Sequence, residues 1–123
     1  MIGLGVDLCQ VSRMEAALEK GEGFLKRYFT REEQAYILSR GKLGPQSAAA
    51  MFAAKEAFLK ALGVGLNGGI ALCQIGVRHD ERGAPFYALD EAAAQKLREK
   101  GGSRLHLSLT HDGGVAAAVA VVE

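Results

Sequence analysis

Met51-Phe52-Ala53-Ala54-Lys55-Glu56-Ala57-Phe58-Leu59-Lys60-Ala61-Leu62 is the most informative stretch of the chain. Apolar residues fall on almost every side of a 3.6-residue turn, the pattern of a helix that is buried or packed on more than one side. Gly41, Gly44 and Pro45 mark a connection before it and Gly63 a stop after it, so the helix is predicted from about Ser47 to Leu62. Its centre nevertheless carries Lys55, Glu56 and Lys60. A charge taken out of water needs a partner, a metal or a ligand. Glu56 and Lys60 are four residues apart and share a face. On a polar surface such a pair contributes only ~0.3–0.5 kcal/mol and has no function. In apolar surroundings, directly before Gly63-Val64-Gly65, the functional reading carries equal weight.

Upstream, residues 1–8 alternate. Ile2, Leu4, Val6 and Leu8 point one way, and Gly3, Gly5 and Asp7 the other, which is a strand of period two. The glycines thin one face, so another backbone can approach closely there. Ser12 with Glu15 and Thr30 with Glu33 fit capping boxes, predicting helices over Arg13–Lys20 and Arg31–Ser39. Downstream, Leu72–Arg78 and Pro85–Leu89 read as strands joined around Asp80-Glu81-Arg82-Gly83. Asp90 caps a helix running to Lys100, with Gly101 as its stop. Leu105, Leu107 and Leu109 alternate with His106, Ser108 and Thr110 before the turn Asp112-Gly113-Gly114. Val115–Val122 returns as an almost continuous apolar strand, expected to be buried on both faces. Interspersed strands and helices with a terminal hairpin give an α+β class.

The bulk numbers fit one soluble domain: 123 residues, 49% hydrophobic, 24% charged, net charge +1. No global field draws the chain to nucleic acid or a membrane. No apolar run approaches the ~20 residues needed to span a bilayer. The N-terminus lacks a basic n-region and meets Asp7 too early for a signal peptide, so a cytoplasmic address is expected. Cys9 and Cys73 form no Cys-x-x-Cys pair and read as small buried apolar residues.

Asp7 ends an apolar strand. Alone, such an aspartate caps the following turn. With Glu56 it can supply two carboxylates to magnesium, which commonly takes one or two and fills its octahedron with water and phosphate oxygens. Lys55, Lys60, His111 and the amides after Gly63 are candidates for binding phosphate. There is no P-loop, no second histidine at ligand spacing and no orienting acid for a Ser108–His111 nucleophile pair. His111 equally reads as a turn-stabilising side chain.

Three blocks resemble the holo-acyl-carrier-protein synthase family of phosphopantetheinyl transferases. They are Ile2-Gly3-Leu4-Gly5-Val6-Asp7 with Arg13; Phe52-Ala53-Ala54-Lys55-Glu56-Ala57 with Lys60 and the Gly63–Gly65 loop; and Leu107-Ser108-Leu109-Thr110-His111 before an Ala/Val strand. Phe29-Thr30 with Glu33, and Gly83 with Pro85, match more weakly. The resemblance covers nearly all of 1–123 as one domain. It implies a phosphopantetheinyl transferase-like fold, an antiparallel sheet packed on a long central helix, assembled as a homotrimer with sites between adjacent subunits.

The function implied is transfer of the 4′-phosphopantetheine of coenzyme A to a serine of apo acyl carrier protein, releasing 3′,5′-ADP, in support of fatty acid biosynthesis. Asp7 and Glu56 then match the magnesium ligands, and Lys60 a lysine near the phosphates; in the mechanism that fits, Glu56 and Lys60 are catalytic, Glu56 taking the serine proton directly or through a metal-bound water and Lys60 stabilising the leaving phosphate. Lys55, Lys60, Gly63, Gly65, Gly83, Pro85, Thr110 and His111 fall to the coenzyme site. Arg13 matches the leading arginine of a carrier-docking helix, with Lys20, Lys26 and Arg27 as further basic contacts. The chain departs from the family at Met51, where arginine is common, and at Val64, where the loop usually has threonine. A non-catalytic coenzyme-binding module and a structural adaptor for an acidic protein are the competing readings.

Overall fold

A computed structural model describes residues 1–65 and 68–123. Among the described residues the α-helices and strands are, in chain order, β1 (Gly3–Gln10), α1 (Val11–Glu19), α2 (Gly23–Tyr28), α3 (Arg31–Ser39), α4 (Gly44–Leu62), β2 (Ile75–His79), β3 (Pro85–Leu89), α5 (Glu91–Glu99), β4 (Leu105–Asp112) and β5 (Val115–Val122). Strands β1, β5 and β4 form an antiparallel sheet in that order, and β2 and β3 an antiparallel pair. The fold thus mixes helices with antiparallel sheets.

α4 has 19 residues and packs against β1 and β5. Its alanines Ala53, Ala54, Ala57 and Ala61 are buried, as are Met51 and Phe58. Burying a side chain the size of Phe58 contributes roughly 1.5–3 kcal/mol. The small residues matter as much as the large ones. A Cβ at Gly3 would fall inside the carbonyl oxygen of Ala61, and one at Gly5 inside that of Ala57. The strand and the helix therefore touch backbone to backbone, the close approach that the glycine face of β1 predicts. Leu4, Val6 and Leu8, on the other face, remain 59%, 56% and 67% exposed.

Several boundaries differ from the sequence reading. α1 begins at Val11, and Ser12–Glu15 forms no capping box; the N-cap is Gln10, without a side-chain bond. The sheet does that work: Val11 N–H donates to Gly114 O at 2.9 Å, so the chain leaves the ladder directly into the helix. α4 starts at Gly44, with Pro45 in its first turn, where a missing N–H costs nothing. α2 went unread because Gly21 and Gly23 suggest only a break. Leu72–Gln74 is a 3₁₀ turn, which leaves β2 only Ile75–His79. β5 is not buried on both faces: Ala116, Ala118, Ala120 and Val122 face α4, whereas Val119 is exposed. Cys9 is half-buried and Cys73 exposed, so neither is a core residue. The capping box Thr30–Glu33, the Asp90 cap and the left-handed Gly63 at the end of α4 are as expected.

Candidate active site

The backbone contact between β1 and α4 sets the site. It places Asp7, just beyond the two glycines, beside Glu56 and Lys60 one helical turn apart. Asp7 is 11% exposed, and its Oδ1 accepts a 2.8 Å bond from Lys60 Nζ. Lys60 Nζ also donates to Val6 O at 3.2 Å. Lys60 thus pairs with Asp7 across elements, not with Glu56 along its own helix, and that bond raises its pKa.

The other oxygen, Asp7 Oδ2, is buried without a donor. The Glu56 carboxyl is pushed up to about 7, first by burial and then by the neighbouring Asp7 carboxylate. Two carboxylates accept but do not donate, so one must hold a proton or both must face a cation. This donor set fits magnesium. Among the described residues no cluster of three or more His, Cys, Asp or Glu side chains offers a richer ligand set, and two carboxylates match a hard cation that keeps water and phosphate oxygens.

Glu56 opens onto two adjoining clefts. One, of about 280 Å³, has Arg13, Cys9, Phe24 and Phe52 in its walls. The other, of about 420 Å³, has Arg27, Tyr28, Phe52, Ile70, Ala71 and Leu72. Lys20 and Arg27 line a neighbouring hollow of about 490 Å³ that shares Phe24 and Tyr28. Arg13, Lys20 and Arg27 thus share the walls of these hollows with aromatic rings and with Glu56. Lys26 lies outside these walls and pairs with Glu22 at 3.0 Å.

Gly83, Pro85, Thr110 and His111 line a different cleft of about 260 Å³, with Tyr36, Arg40, Gln46 and His79. His111 Nε2 meets Gln46 Nε2 at 3.0 Å. No residue of this cleft lines those at Glu56, so within one chain the two halves of the expected coenzyme site stand apart. Gly63 and Gly65 are exposed after α4.

Lys55 is the clear correction. The sequence places it at a phosphate, but it is fully buried, bonded to Glu33 and to the backbone oxygens of Leu72 and Ile75, and lines none of the clefts. Sequence reading also missed Glu33 as more than a cap, and the Tyr36–His79 stack, whose centroids lie 4.4 Å apart. The capping box was the one signal for Glu33, and it says nothing about burial. His79 Nδ1 is buried without a partner, and burial holds its pKa down.

The profile of the 4′-phosphopantetheinyl transferase superfamily matches residues 3–120. A holo-[acyl-carrier-protein] synthase from Treponema denticola is 49% identical over 123 residues, covering 100% of this chain and 98% of the relative. One from Trichlorobacter lovleyi is 44% identical over 124 residues, with coverages of 100% and 98%. Among solved structures, the synthase from Neisseria meningitidis aligns with a TM-score of 0.91 at 35% identity, covering 100% of this chain and 98% of that one. The Helicobacter pylori synthase in complex with coenzyme A aligns at 0.83 and 30% identity, covering 98% and 99%. The chain belongs to the holo-[acyl-carrier-protein] synthase family of phosphopantetheinyl transferases, and is an enzyme of that class.

Proposed function

We propose that this chain transfers the 4′-phosphopantetheine arm of coenzyme A to a serine of apo acyl carrier protein, releasing 3′,5′-ADP, with magnesium bound by Asp7 and Glu56. One observation carries the reading: the donorless Asp7 Oδ2 beside a Glu56 carboxyl lifted to about 7, in a chain matched to the family from end to end.

The serine oxygen attacks the β-phosphorus of coenzyme A and the bond to the bridging oxygen of the pyrophosphate breaks. Glu56, whose carboxylate lines the cleft, accepts the serine proton as general base. Bound magnesium supplies positive charge that neutralises and orients the pyrophosphate. Lys60, exposed at its tip and tethered at Asp7, stabilises charge on the leaving phosphate. Arg13, Lys20, Lys26 and Arg27 receive the acidic carrier at the mouth of the clefts. Gly63, Gly65, Gly83, Pro85, Thr110 and His111 serve the coenzyme.

The two separate clefts favour a site completed between copies. The exposed Leu4, Val6, Leu8 and Val119 are adjacent on the outer face of the sheet, where Val6 pairs with Val119. An apolar face of this kind marks an interface, and a homotrimer is the assembly proposed. The role proposed for it is fatty acid biosynthesis in the cytoplasm. Among the described residues no helix is long and apolar enough to cross a membrane.

The deciding experiment is intact-mass spectrometry of an apo carrier incubated with the chain, coenzyme A and magnesium, beside an EDTA control. A gain of one phosphopantetheine arm, absent with EDTA, is expected. No gain across several apo carriers would move the reading to a coenzyme-binding module.

A further inference from the structure

Lys55 and Glu33 are the charged residues of the core, 0% and 1% exposed, among the described residues. The Lys55 ammonium donates to Glu33 Oε1 at 2.6 Å, to Ile75 O at 2.7 Å and to Leu72 O at 3.1 Å. Each of its three protons has an acceptor. Glu33 Oε1 also accepts from Thr30 N at 2.8 Å, and Oε2 from Val77 N at 2.8 Å. One pair thereby ties the start of α3, the middle of α4, the 3₁₀ turn Leu72–Gln74 and β2.

Stability alone does not account for it. Desolvating two charges is costly, and apolar residues of the same volume commonly do as well or better. What the pair adds is geometry. Ile70, Ala71 and Leu72 form one wall of the cleft whose other wall carries Phe52 and Glu56. That first wall follows Gly63, Gly65, Gly68 and Gly69, and glycine supplies no stiffness of its own. Two of the three bonds of Lys55 go to backbone oxygens of Leu72 and Ile75, so α4 grips the wall from behind. Lys55 and Glu56 are consecutive, about 100° apart around the helix. One turn of α4 thus aims the carboxylate into the cleft and the ammonium at the far wall's support.

We infer that Lys55 and Glu33 are a positioning pair that holds the Ile70–Leu72 wall at a set distance from Glu56 and so fixes the orientation of the reactants in the cleft. Neither residue touches substrate. The inference rests on the transferase reading, and it concerns which residues set the cleft's width.

Lys55→Met alone strands a buried carboxylate and is expected to lower the melting temperature severely. The informative protein is Lys55→Met/Glu33→Gln, in which no charge is left unpaired. Its melting temperature should recover part of the loss, because Leu72 O and Ile75 O lose their donor and a Gln amide accepts from only one of Thr30 N and Val77 N. At a temperature where circular dichroism shows it fully folded, kcat should still fall on the order of 10- to 100-fold, the cost of misplacing reacting groups by about 1 Å. KM for coenzyme A should move far less, because the loss is of orientation and not of uniform binding. Amides 70–75 should exchange hydrogen faster than in the parent, while those of β4 and β5 should not. A folded double variant with parental kcat and parental exchange would overturn the pair's positioning role. A parent that modifies no apo carrier would instead sink the transferase reading, and the exchange measurement would still decide the pair.

Discussion

The two faces of β1 invert the usual rule of burial. The inner face offers Gly3, Gly5 and Asp7 and is pressed onto α4, while the outer face offers Leu4, Val6 and Leu8 and is more than half exposed. Apolar area drives burial at roughly 25 cal/mol per Å², so leaving three large aliphatic residues outside forgoes several kcal/mol in the single chain. The inner face uses its proximity for chemistry: without Cβ atoms at positions 3 and 5, Asp7 comes within reach of Glu56 and Lys60. The difference teaches that one strand can present two unlike faces, a backbone contact that brings the site residues together and an apolar face left open, which the proposed assembly would cover.

The sharpest way to break the inner face is at its chemistry. Glu56→Gln should lower turnover by about 10²–10⁴-fold, the range for losing a positioned base, with the melting temperature kept or raised. Mass spectrometry of the carrier measures this, and a variant of near-parental rate would remove Glu56 from the mechanism. Next comes the contact itself. In Gly5→Ala the new Cβ meets backbone atoms of Ala57 and Ala61, the nitrogen of Ala61 at 2.7 Å. Backbone cannot yield as a side-chain tip can, so a cost of roughly 1–3 kcal/mol is expected, with loss of activity because Asp7 and Glu56 part. Thermal unfolding and calorimetric titration of magnesium would check both halves.

How much of this was legible follows from the kind of signal each part emits. Local patterns announced themselves: the Thr30–Glu33 box, the Asp90 cap, the Gly63 stop and the glycine face of β1 all depend on residues close in sequence. The candidate site was legible as residue types, since Asp7, Glu56 and Lys60 stand in the expected blocks. Their pairing was not, because Lys60 bonding to Asp7 is a contact across 53 residues. Lys55 misled for the same reason. A lysine beside a glycine loop reads as a phosphate ligand until a glutamate 22 residues earlier is found facing it. The start of α1 misled because the sheet, not Ser12, satisfies its first N–H.

The outer face yields a smaller effect on the chain and a specific one on its assembly. Val6→Lys should leave the folding of one chain within about ±0.5 kcal/mol, as for other surface positions. It should nevertheless split the proposed homotrimer, because a charge in an apolar interface must shed its water. Light scattering should report a lower mass, and activity should become dependent on protein concentration. An unchanged mass would mean the interface lies elsewhere, and the exposed aliphatic row would then lack the role given to it here.

The mildest test sharpens the comparison through pH. Glu56 titrates at about 7 in the folded chain against an ordinary 4.5. A raised acid pKa means the folded state holds the proton more tightly, so the stability is fully present below pH 4.5 and is lost as pH rises through about 7. Glu56 is only partly buried, and solvent screening reduces the amplitude to about 1 kcal/mol. In metal-free buffer the melting temperature should therefore decline by a few degrees between pH 5 and 8. Asp7→Asn should shrink that slope without abolishing it, because burial, the largest cause, remains. Glu56→Gln should remove this contribution, while the outer-face Val6→Lys should retain it. Magnesium should oppose the decline, since a cation favours the ionised carboxylate, and its affinity should climb with pH and level off above about 7. If Glu56→Gln and the parent share one slope, the titrating group belongs to another part of the molecule, and the inner face of β1 loses its claim to be the charged side of the strand.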